Sequence, residues 1–187
     1  MRRSTFSGGA ISASAGATGT IEDNSFNGGG IGVDTGSAMV IRGNTIRDIA
    51  GSAVEVRDEG TSATVEDNSI TGASIAIAAR PKTTASISGN TLTENGMAVS
   101  LESGDVTASN NSVESGNAGI WVGSGSPMLA GNSVRGTKGN GITVMAAASP
   151  TLSGNSSCDN VTNLFVSDGA TPVIDDTNEI CKDAPAG

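Results

Sequence analysis

The chain of 187 residues contains no histidine and no tyrosine, and its only aromatic residues are three Phe and one Trp. Histidine is the most common general base, so its absence excludes Ser–His and Cys–His nucleophilic pairs. The ten Lys and Arg residues are scattered along the chain, whose formal net charge is −9. Nucleic-acid binding requires clustered basic residues that release counterions, so we expect no nucleic-acid partner.

Long apolar segments are also missing. No apolar run approaches the roughly 20 residues that a transmembrane helix needs, so we expect no membrane span. Met1-Arg2-Arg3 is followed by Ser, Thr and Gly rather than by an apolar segment, so no signal peptide is recognisable. Because Gly is abundant and aromatic residues are rare, the composition suits a narrow core of Val, Ile and Leu rather than a wide one.

A short unit that ends with an Asn residue recurs along the whole chain. Repeats of this length are typical of solenoids, in which each unit stacks on the next. We therefore predict one domain over residues 1–187, either complete or as part of a longer chain. Successive Asn residues lie 20 to 24 residues apart, at Asn24, Asn44, Asn68, Asn90, Asn111, Asn132, Asn155 and Asn178.

Between these Asn residues stand pairs of apolar residues separated by one residue. Such period-two alternation in runs rich in Val and Ile indicates strands, and no 3.6-residue periodicity indicates helices. The sequence therefore predicts an all-β fold, a single-stranded right-handed parallel β-helix (solenoid) of about eight coils with repeats of about 22 residues. The pairs are Ile11/Ala13, Ile31/Val33, Val54/Val56, Ile75/Ile77, Val99/Leu101, Ile120/Val122, Ile142/Val144 and Leu164/Val166.

The recurring Asn has a structural explanation. Gly, Asp or Asn precedes most of these residues, and all three types tolerate the left-handed backbone of a bend. An inward Asn side chain can hydrogen-bond the backbone and the amides of its stacked neighbours, which satisfies groups that the bend leaves unpaired. We predict an internal Asn ladder with a structural role.

Units such as Ile41-Arg-Gly-Asn-Thr-Ile46 and Gly139-Asn-Gly-Ile-Thr-Val144 resemble the right-handed parallel β-helix repeats of the pectin-lyase-like superfamily. That resemblance extends over nearly the whole chain. It implies the fold, but the superfamily includes polysaccharide lyases, hydrolases and epimerases as well as non-catalytic members thought to bind carbohydrate. Because one fold carries many functions, it does not decide between them.

The two cysteines occupy the same place in successive repeats, since Cys158 follows Asn155 by three residues and Cys181 follows Asn178 by three. Stacked coils would bring their Cα atoms to about 5 Å, within disulfide range. A disulfide would close the C-terminal end, residues 155–187, and would indicate an oxidising compartment. Two free stacked thiols are the alternative.

Charged residues gather on one predicted outer face. The resemblance implies His-dependent chemistry for its hydrolases and epimerases, which this chain cannot perform, and Arg with Asp-held calcium for its lyases. A lyase-like interpretation would make Arg57 a base or charge stabiliser, with Asp34, Glu55 or Asp58 holding a cation. The alternative is a solvated ladder of ion pairs, each worth at most about 1 kcal/mol. We predict no catalytic residues, no cofactor and no metal site.

The single tryptophan is the other candidate. Trp121 falls between two inward residues and is expected to be exposed, with Thr143 and Phe165 in the same column on the next two coils. Two aromatic faces would then lie about 10 Å apart and could stack against sugar rings. Trp121 could equally pack under a loop or another domain. The predicted outer columns are Ser12, Gly32, Glu55, Ala76, Ser100, Trp121, Thr143 and Phe165, and Asp34, Arg57, Ala78, Glu102 and Gly123.

These observations favour a non-catalytic secreted or cell-surface β-helix module that binds polysaccharide or another glycan, or acts as an interaction or spacer surface. The alternatives are a lyase-like enzyme that uses carboxylates and Arg, and a structural solenoid that associates end to end.

Overall fold

The computed structural model of the chain describes residues 1–183, in which the backbone forms 25 short β-strands arranged in three sheets. Sheet I contains β1 (Thr5–Ser7), β4 (Ser25–Asn27), β7 (Thr45–Arg47), β10 (Ser69–Thr71), β13 (Thr91–Thr93), β16 (Ser112–Glu114), β19 (Ser133–Arg135), β22 (Ser156–Cys158) and β25 (Glu179–Ile180). Sheet II contains β2 (Ile11–Ala13), β5 (Ile31–Val33), β8 (Ser52–Val56), β11 (Ile75–Ala79), β14 (Met97–Leu101), β17 (Ala118–Gly125), β20 (Asn140–Ala148) and β23 (Thr162–Val166). Sheet III contains β3 (Thr18–Glu22), β6 (Ala38–Arg42), β9 (Ser62–Glu66), β12 (Thr84–Ser88), β15 (Val106–Ser109), β18 (Met128–Ala130), β21 (Thr151–Ser153) and β24 (Val173–Ile174).

Each coil contributes one strand to each sheet, and every strand pairs in parallel with its counterpart on the next coil. This confirms the predicted parallel solenoid of about eight coils. Residues 1–183 contain no helix, and therefore none that is long and apolar enough to cross a lipid bilayer.

The core is a narrow column of aliphatic side chains that runs along the axis. Within one coil, Ile70 of sheet I, Ile77 of sheet II and Ile87 of sheet III are all fully buried. At one end the rings of Phe6 and Phe26 stack with centroids 4.6 Å apart. Since each coil buries its apolar side chains only against its neighbours, stacking of the coils is the main source of stability.

The Asn ladder is present as predicted. Each ladder amide donates from Nδ2 to the Oδ1 of the next, for example Asn68 to Asn90 at 3.0 Å and Asn90 to Asn111 at 2.9 Å. The same Oδ1 accepts the backbone N–H of the preceding Asn, as Asn90 does from Asn68 at 3.0 Å. A residue with positive φ directly precedes seven of the eight ladder positions, which confirms the predicted bend there: Asp23, Gly43, Asp67, Gly89, Asn110, Gly131 and Gly154.

One repeat differs from the prediction. The inward pair of β11 is Ile77/Ala79, because Ile77 pairs with Val54 and Val99. Ile75 instead lies beside Ser52 and Met97. The predicted pair Ile75/Ile77 was therefore wrong by two residues, and the outer residues of this coil are Ala78 and Arg80 rather than Ala76 and Ala78.

The predicted disulfide is confirmed. Cys158 and Cys181 are bonded, with Cα atoms 4.9 Å apart. Parallel pairing of β22 with β25 places them on adjacent coils. The bond joins the last coil of the described range to its neighbour.

Candidate functional site

The outer face of sheet II brings the charged and the aromatic candidates together. Its parallel register aligns one residue from each coil into a single column, which we call the outer column. Charged residues stand in or beside the column on the coils nearer the N-terminus. Aromatic residues stand in it on the coils nearer the C-terminus. The outer column consists of Ser12, Gly32, Glu55, Ala78, Ser100, Trp121, Thr143 and Phe165.

The charged residues form a continuous ladder of ion pairs across four coils. Arg57 contacts Asp34 through Nη2 and Oδ2 at 3.0 Å, and Glu55 through Nη1 and Oε2 at 3.5 Å. Arg80 contacts Glu55 through Nε and Oε1 at 2.9 Å, and Glu102 through Nη1 and Oε1 at 2.7 Å. Three carboxylates therefore share two guanidinium groups, which leaves the ladder with one excess negative charge.

These contacts shift the pKa values of Asp34, Arg57 and Arg80. The hydrogen bond that Arg57 donates, with a second from the Thr35 hydroxyl, holds the pKa of Asp34 below its ordinary value. The bond to Asp34 raises the pKa of Arg57. Partial burial lowers the pKa of Arg80, but the bonds that it donates to Glu102 and Glu55 outweigh burial and the net shift is upward.

This arrangement argues against the lyase-like interpretation. The raised pKa of Arg57 keeps its guanidinium protonated, which disfavours a role as a general base. Both carboxylate oxygens of Asp34 are already engaged, Oδ1 by Thr35 and Oδ2 by Arg57. Asp58 accepts a hydrogen bond from the Thr35 N–H at 3.3 Å. The ladder matches the alternative interpretation, a partly solvated set of ion pairs.

The six-membered ring of the Trp121 indole lies over Gly123 of the same strand. The residue is only partly exposed, and a Cβ built on Gly123 would overlap the six-membered ring of the indole. The indole therefore covers the backbone of Gly123, where no other residue type would leave room for it. The sequence predicted an exposed side chain, whereas the residue is partly exposed, and the indole explains the Gly two residues further on.

Thr143 and Phe165 continue the column beyond Trp121, as the sequence predicted. The Thr143 side chain is buried to 8% exposure and accepts a hydrogen bond from Asn140 Nδ2 at 3.2 Å. Phe165 is 43% exposed. A buried hydroxyl thus separates two partly exposed aromatic rings, two coil spacings or about 10 Å apart along the sheet.

A local widening of sheet II borders the tryptophan. Strands β17 and β20 extend to eight and nine residues, with a register shift between Val122 and Ser124. The Ser124 hydroxyl donates to the Glu102 carbonyl at 3.0 Å. This contact joins the charged part of the face to the aromatic part, so both belong to one surface.

Arg80 is the functional candidate that the sequence analysis missed. The sequence analysis did not place Arg80 on the outer face, because it predicted the inward pair of that coil as Ile75/Ile77 instead of Ile77/Ala79. The spacing from the ladder does not select the pair. Ile77 follows Asn68 by nine residues, as Val99 follows Asn90, but the inward Ile31 follows Asn24 by seven, the same spacing as Ile75 from Asn68.

Sheet III carries a second concave surface. Its outer face forms a shallow groove of about 420 Å³ lined by small residues, including Ser62, Thr64, Thr84 and Ser86. Asp105 is the charged residue in its lining, which contains no aromatic side chain. Because stripes of small residues are common on solenoid faces, the face of sheet II remains the stronger candidate.

Comparison with known proteins places the fold in a family. Neither the search of curated proteins nor the search of solved structures found a match. The family model described as "right handed beta helix region" matches residues 1–80 and 75–181, which together cover nearly the whole chain. This match agrees with the parallel coils and the Asn ladder described above, and the chain belongs to the right-handed β-helix family.

Proposed function

We propose that this chain is a non-catalytic, secreted or cell-surface β-helix module that binds a neutral polysaccharide along the outer face of sheet II. The observation that carries the proposal is the aromatic part of the outer column, Trp121 and Phe165 with Thr143 between them. The C–H groups on one face of a sugar ring are apolar and pack against flat aromatic rings. A sheet of stacked coils keeps such rings at a constant spacing, so little ordering entropy is lost on binding.

The electrostatics favour a neutral polymer over an acidic one. Arg57 and Arg80 are already paired with Asp34, Glu55 and Glu102. The ladder carries an excess negative charge, and the whole chain has a formal net charge of −9. An acidic polysaccharide would have to displace these carboxylates and approach a negative surface, which is unfavourable at low ionic strength.

The disulfide supports an extracellular location. Disulfides persist in oxidising compartments and are rare in the reducing cytosol. The Cys158–Cys181 bond is consistent with such a compartment, and expression with and without export to it, followed by thiol titration, tests whether the bond forms there.

Trp121 is the chain's only tryptophan, so its fluorescence reports directly on this surface. We expect titration with soluble neutral polysaccharides of different linkage to change its emission with saturation for at least one class. Trp121→Ala and Phe165→Ala are each expected to weaken binding about tenfold or more, as measured by affinity electrophoresis, which corresponds to about 1.4 kcal/mol.

Two further variants separate a binding role from a structural one. Gly123→Ala keeps the indole but forces it off the backbone, and should weaken binding nearly as much as Trp121→Ala. Met128→Ala removes an exposed apolar side chain from the outer face of sheet III and should have no effect. Unchanged affinity in Trp121→Ala and Gly123→Ala would refute the proposed face.

The enzymatic alternative has its own test. Incubation with acidic polysaccharides should produce neither the ultraviolet absorbance of unsaturated ends nor new reducing ends. Either signal, if abolished by Arg57→Lys or Arg80→Lys, would restore the lyase-like interpretation.

Self-association is a second candidate, favoured by exposed apolar side chains on the coil that contains β23, β24 and β25. Large exposed apolar patches often mark protein–protein contacts. Light scattering would show a mass that rises with concentration, and Val173→Ser should reduce the rise; a constant monomer mass would exclude this candidate. The exposed residues are Val161, Phe165, Val166, Val173 and Ile174.

A further inference from the structure

The aromatic part of the outer column has a regular spacing along the axis of the solenoid. Trp121 pairs with Thr143 and Thr143 with Phe165, so the three residues occupy one position on three successive coils. Neighbouring parallel strands lie about 4.8 Å apart, which separates the two aromatic residues by about 10 Å along the axis. Backbone hydrogen bonds keep this spacing without a ligand, for example from Ser167 N to Val144 O at 2.9 Å.

A polymer that contacts both aromatic rings must repeat at the same distance. An extended β-1,4-linked glycan advances by one sugar over a length close to the coil spacing, and each sugar is turned by half a revolution relative to the previous one. Every second sugar therefore presents the same face, at a separation close to that of the two aromatic residues. Chains with α-1,4 or β-1,3 linkages coil instead, so their sugars do not present one face at a constant interval.

The configuration of the sugar decides whether its face can pack against an aromatic ring. Aromatic rings bury apolar C–H groups favourably. In a β-linked sugar of the gluco configuration the ring substituents are equatorial, so both faces carry only axial C–H groups. The manno and galacto configurations have an axial hydroxyl on one face, and burying that hydroxyl against an aromatic ring without a hydrogen-bond partner is costly.

The surroundings of the two aromatic residues leave room for such a chain. Thr143, which lies between them, is 8% exposed, so it does not obstruct a sugar that passes over it. The residues that follow the inward valines of these three coils are uncharged, which suits a neutral chain: Gly123, Met145 and Ser167.

We propose that the ligand of this face is a polymer of β-1,4-linked, gluco-configured neutral sugars that lies parallel to the solenoid axis with one sugar per coil. The inference rests on the function proposed above, because it names the ligand of the same surface. The sugars over Trp121 and Phe165 have the same orientation, and the sugar over Thr143 is turned over. A chain that lay across the coils would contact only one of the two aromatic rings.

Glu102 provides a polar contact for the next sugar along the chain. Parallel pairing places Leu101 beside Val122, so Glu102 follows on the outer face next to Gly123, over which the indole lies. Glu102 Oε1 accepts a hydrogen bond from Arg80 Nη1 at 2.7 Å, which holds the carboxylate in place. The side chain is 26% exposed and offers Oε2 as an acceptor for a sugar hydroxyl.

The first test compares four hexasaccharides by the fluorescence of Trp121 and by calorimetry. They are cellohexaose, laminarihexaose (β-1,3-linked), maltohexaose (α-1,4-linked) and mannohexaose (β-1,4-linked, with an axial hydroxyl). We expect saturable binding of cellohexaose, with an affinity at least tenfold higher than that of the other three.

The second test uses chain length, because a trisaccharide is the shortest ligand that reaches both aromatic rings. Phe165→Ala should weaken binding of cellotriose and cellohexaose about tenfold, but binding of cellobiose less than twofold. Glu102→Ala should weaken binding of cellohexaose about threefold or more. Glu59→Ala is the matched control, because it removes an exposed carboxylate from an ion pair with Lys82 and should leave the affinity unchanged. Circular dichroism checks that each variant is folded.

The outcomes separate this inference from the proposed function. Tighter binding of laminarihexaose, maltohexaose or mannohexaose, lost in Trp121→Ala, would overturn the inferred ligand and leave the proposed function intact. An equal effect of Phe165→Ala on cellobiose and cellotriose would contradict the orientation along the axis. If no neutral saccharide bound at all, the proposed function would be wrong and this inference with it.

Discussion

At the scale of single residues, the ladder Asn is both a hydrogen-bond donor and an acceptor for its neighbours. Asn90 is fully buried, donates to Val65 O at 2.9 Å, and accepts from both the backbone and the side chain of Asn68. Without this amide, buried groups on three coils would lose partners. A buried polar group left unpaired costs about 1–3 kcal/mol.

We therefore expect Asn90→Ala to lower the free energy of unfolding by about 3 kcal/mol, measured by urea denaturation. Asn178→Ala is the matched control, because Asn178 is only partly buried and water can replace its bonds. Its loss should be about 1 kcal/mol. Equal losses in the two variants would contradict a ladder that acts through burial.

Asp34 gives a prediction of pH dependence. Its pKa in the folded chain lies below the ordinary value of 3.8, so its ion pair stabilises the fold above that value and ceases to do so as the pH falls through the folded pKa. Asp34→Asn should therefore be less stable than the parent chain at pH 7, with a difference that disappears at strongly acidic pH. Thermal unfolding monitored by circular dichroism from pH 7 to pH 2 measures this, and a constant difference would be inconsistent with it.

At the scale of strands, close stacking of the coils restricts where a side chain fits. Gly119 in β17 is buried, and a Cβ there would overlap the Gly141 carbonyl oxygen and Val134 Cγ1. Gly51, which precedes β8, has open space around it, and neither glycine has positive φ. The two positions therefore differ in packing and not in backbone strain.

We expect Gly119→Ala to destabilise the chain by about 1–3 kcal/mol through overpacking. Gly51→Ala should be neutral or stabilising by up to about 1 kcal/mol, because it restricts the unfolded chain. Urea denaturation of both variants measures the contrast. A loss at Gly51 as large as that at Gly119 would mean that the coils are not in the close contact described.

The two-residue error in the predicted pair of β11 illustrates how much depends on strand alignment. Inward and outward positions alternate along a strand. An inward pair that is predicted two residues too early therefore still falls on inward-facing positions, but it is matched to the wrong residues of the neighbouring strands. Both Ile75/Ile77 and Ile77/Ala79 satisfy period-two alternation. Only pairing with β8 and β14 selects the second, and that choice brings Arg80 to the ion-pair ladder.

At the scale of the whole molecule, stability is shared between neighbouring coils. In a solenoid each repeat contacts only the adjacent repeats, so local changes remain local. Replacing both Cys158 and Cys181 with Ser should reduce the local stability of the last coil by about 3 kcal/mol. Hydrogen exchange should show faster exchange in β22 to β25 and unchanged protection around β8 to β12; uniform loss along the chain would contradict this picture.

One domain over the whole chain is a further prediction at this scale. Far-ultraviolet circular dichroism reports on all coils, whereas fluorescence reports only on Trp121. Coincident unfolding curves from the two signals are expected if the coils unfold together. Separate transitions would divide the chain into at least two cooperative units.

The sequence by itself determined the coil, the ladder and the disulfide, because each depends on spacing that repeats along the chain. The period of about 22 residues, the two-residue alternation and the Asn positions are local patterns. Cys158 and Cys181 share a repeat position, so stacking alone brings them together. No long-range information was needed beyond the assumption that equivalent positions of successive repeats stack on one another.

Only the tertiary structure decided which outward side chains touch and how they lie. Arg80 joins the ladder because of strand register at an irregular repeat, and Trp121 folds over Gly123 because that position leaves room for a ring. The loops between strands differ in length from coil to coil, which changes the register of the strands relative to the repeat. The rotamer of a side chain is limited by the space that its neighbours leave. Repeat spacing specifies neither the register of each coil nor the rotamers of its side chains. The arrangement of the outer face of sheet II therefore could be determined only from the folded structure.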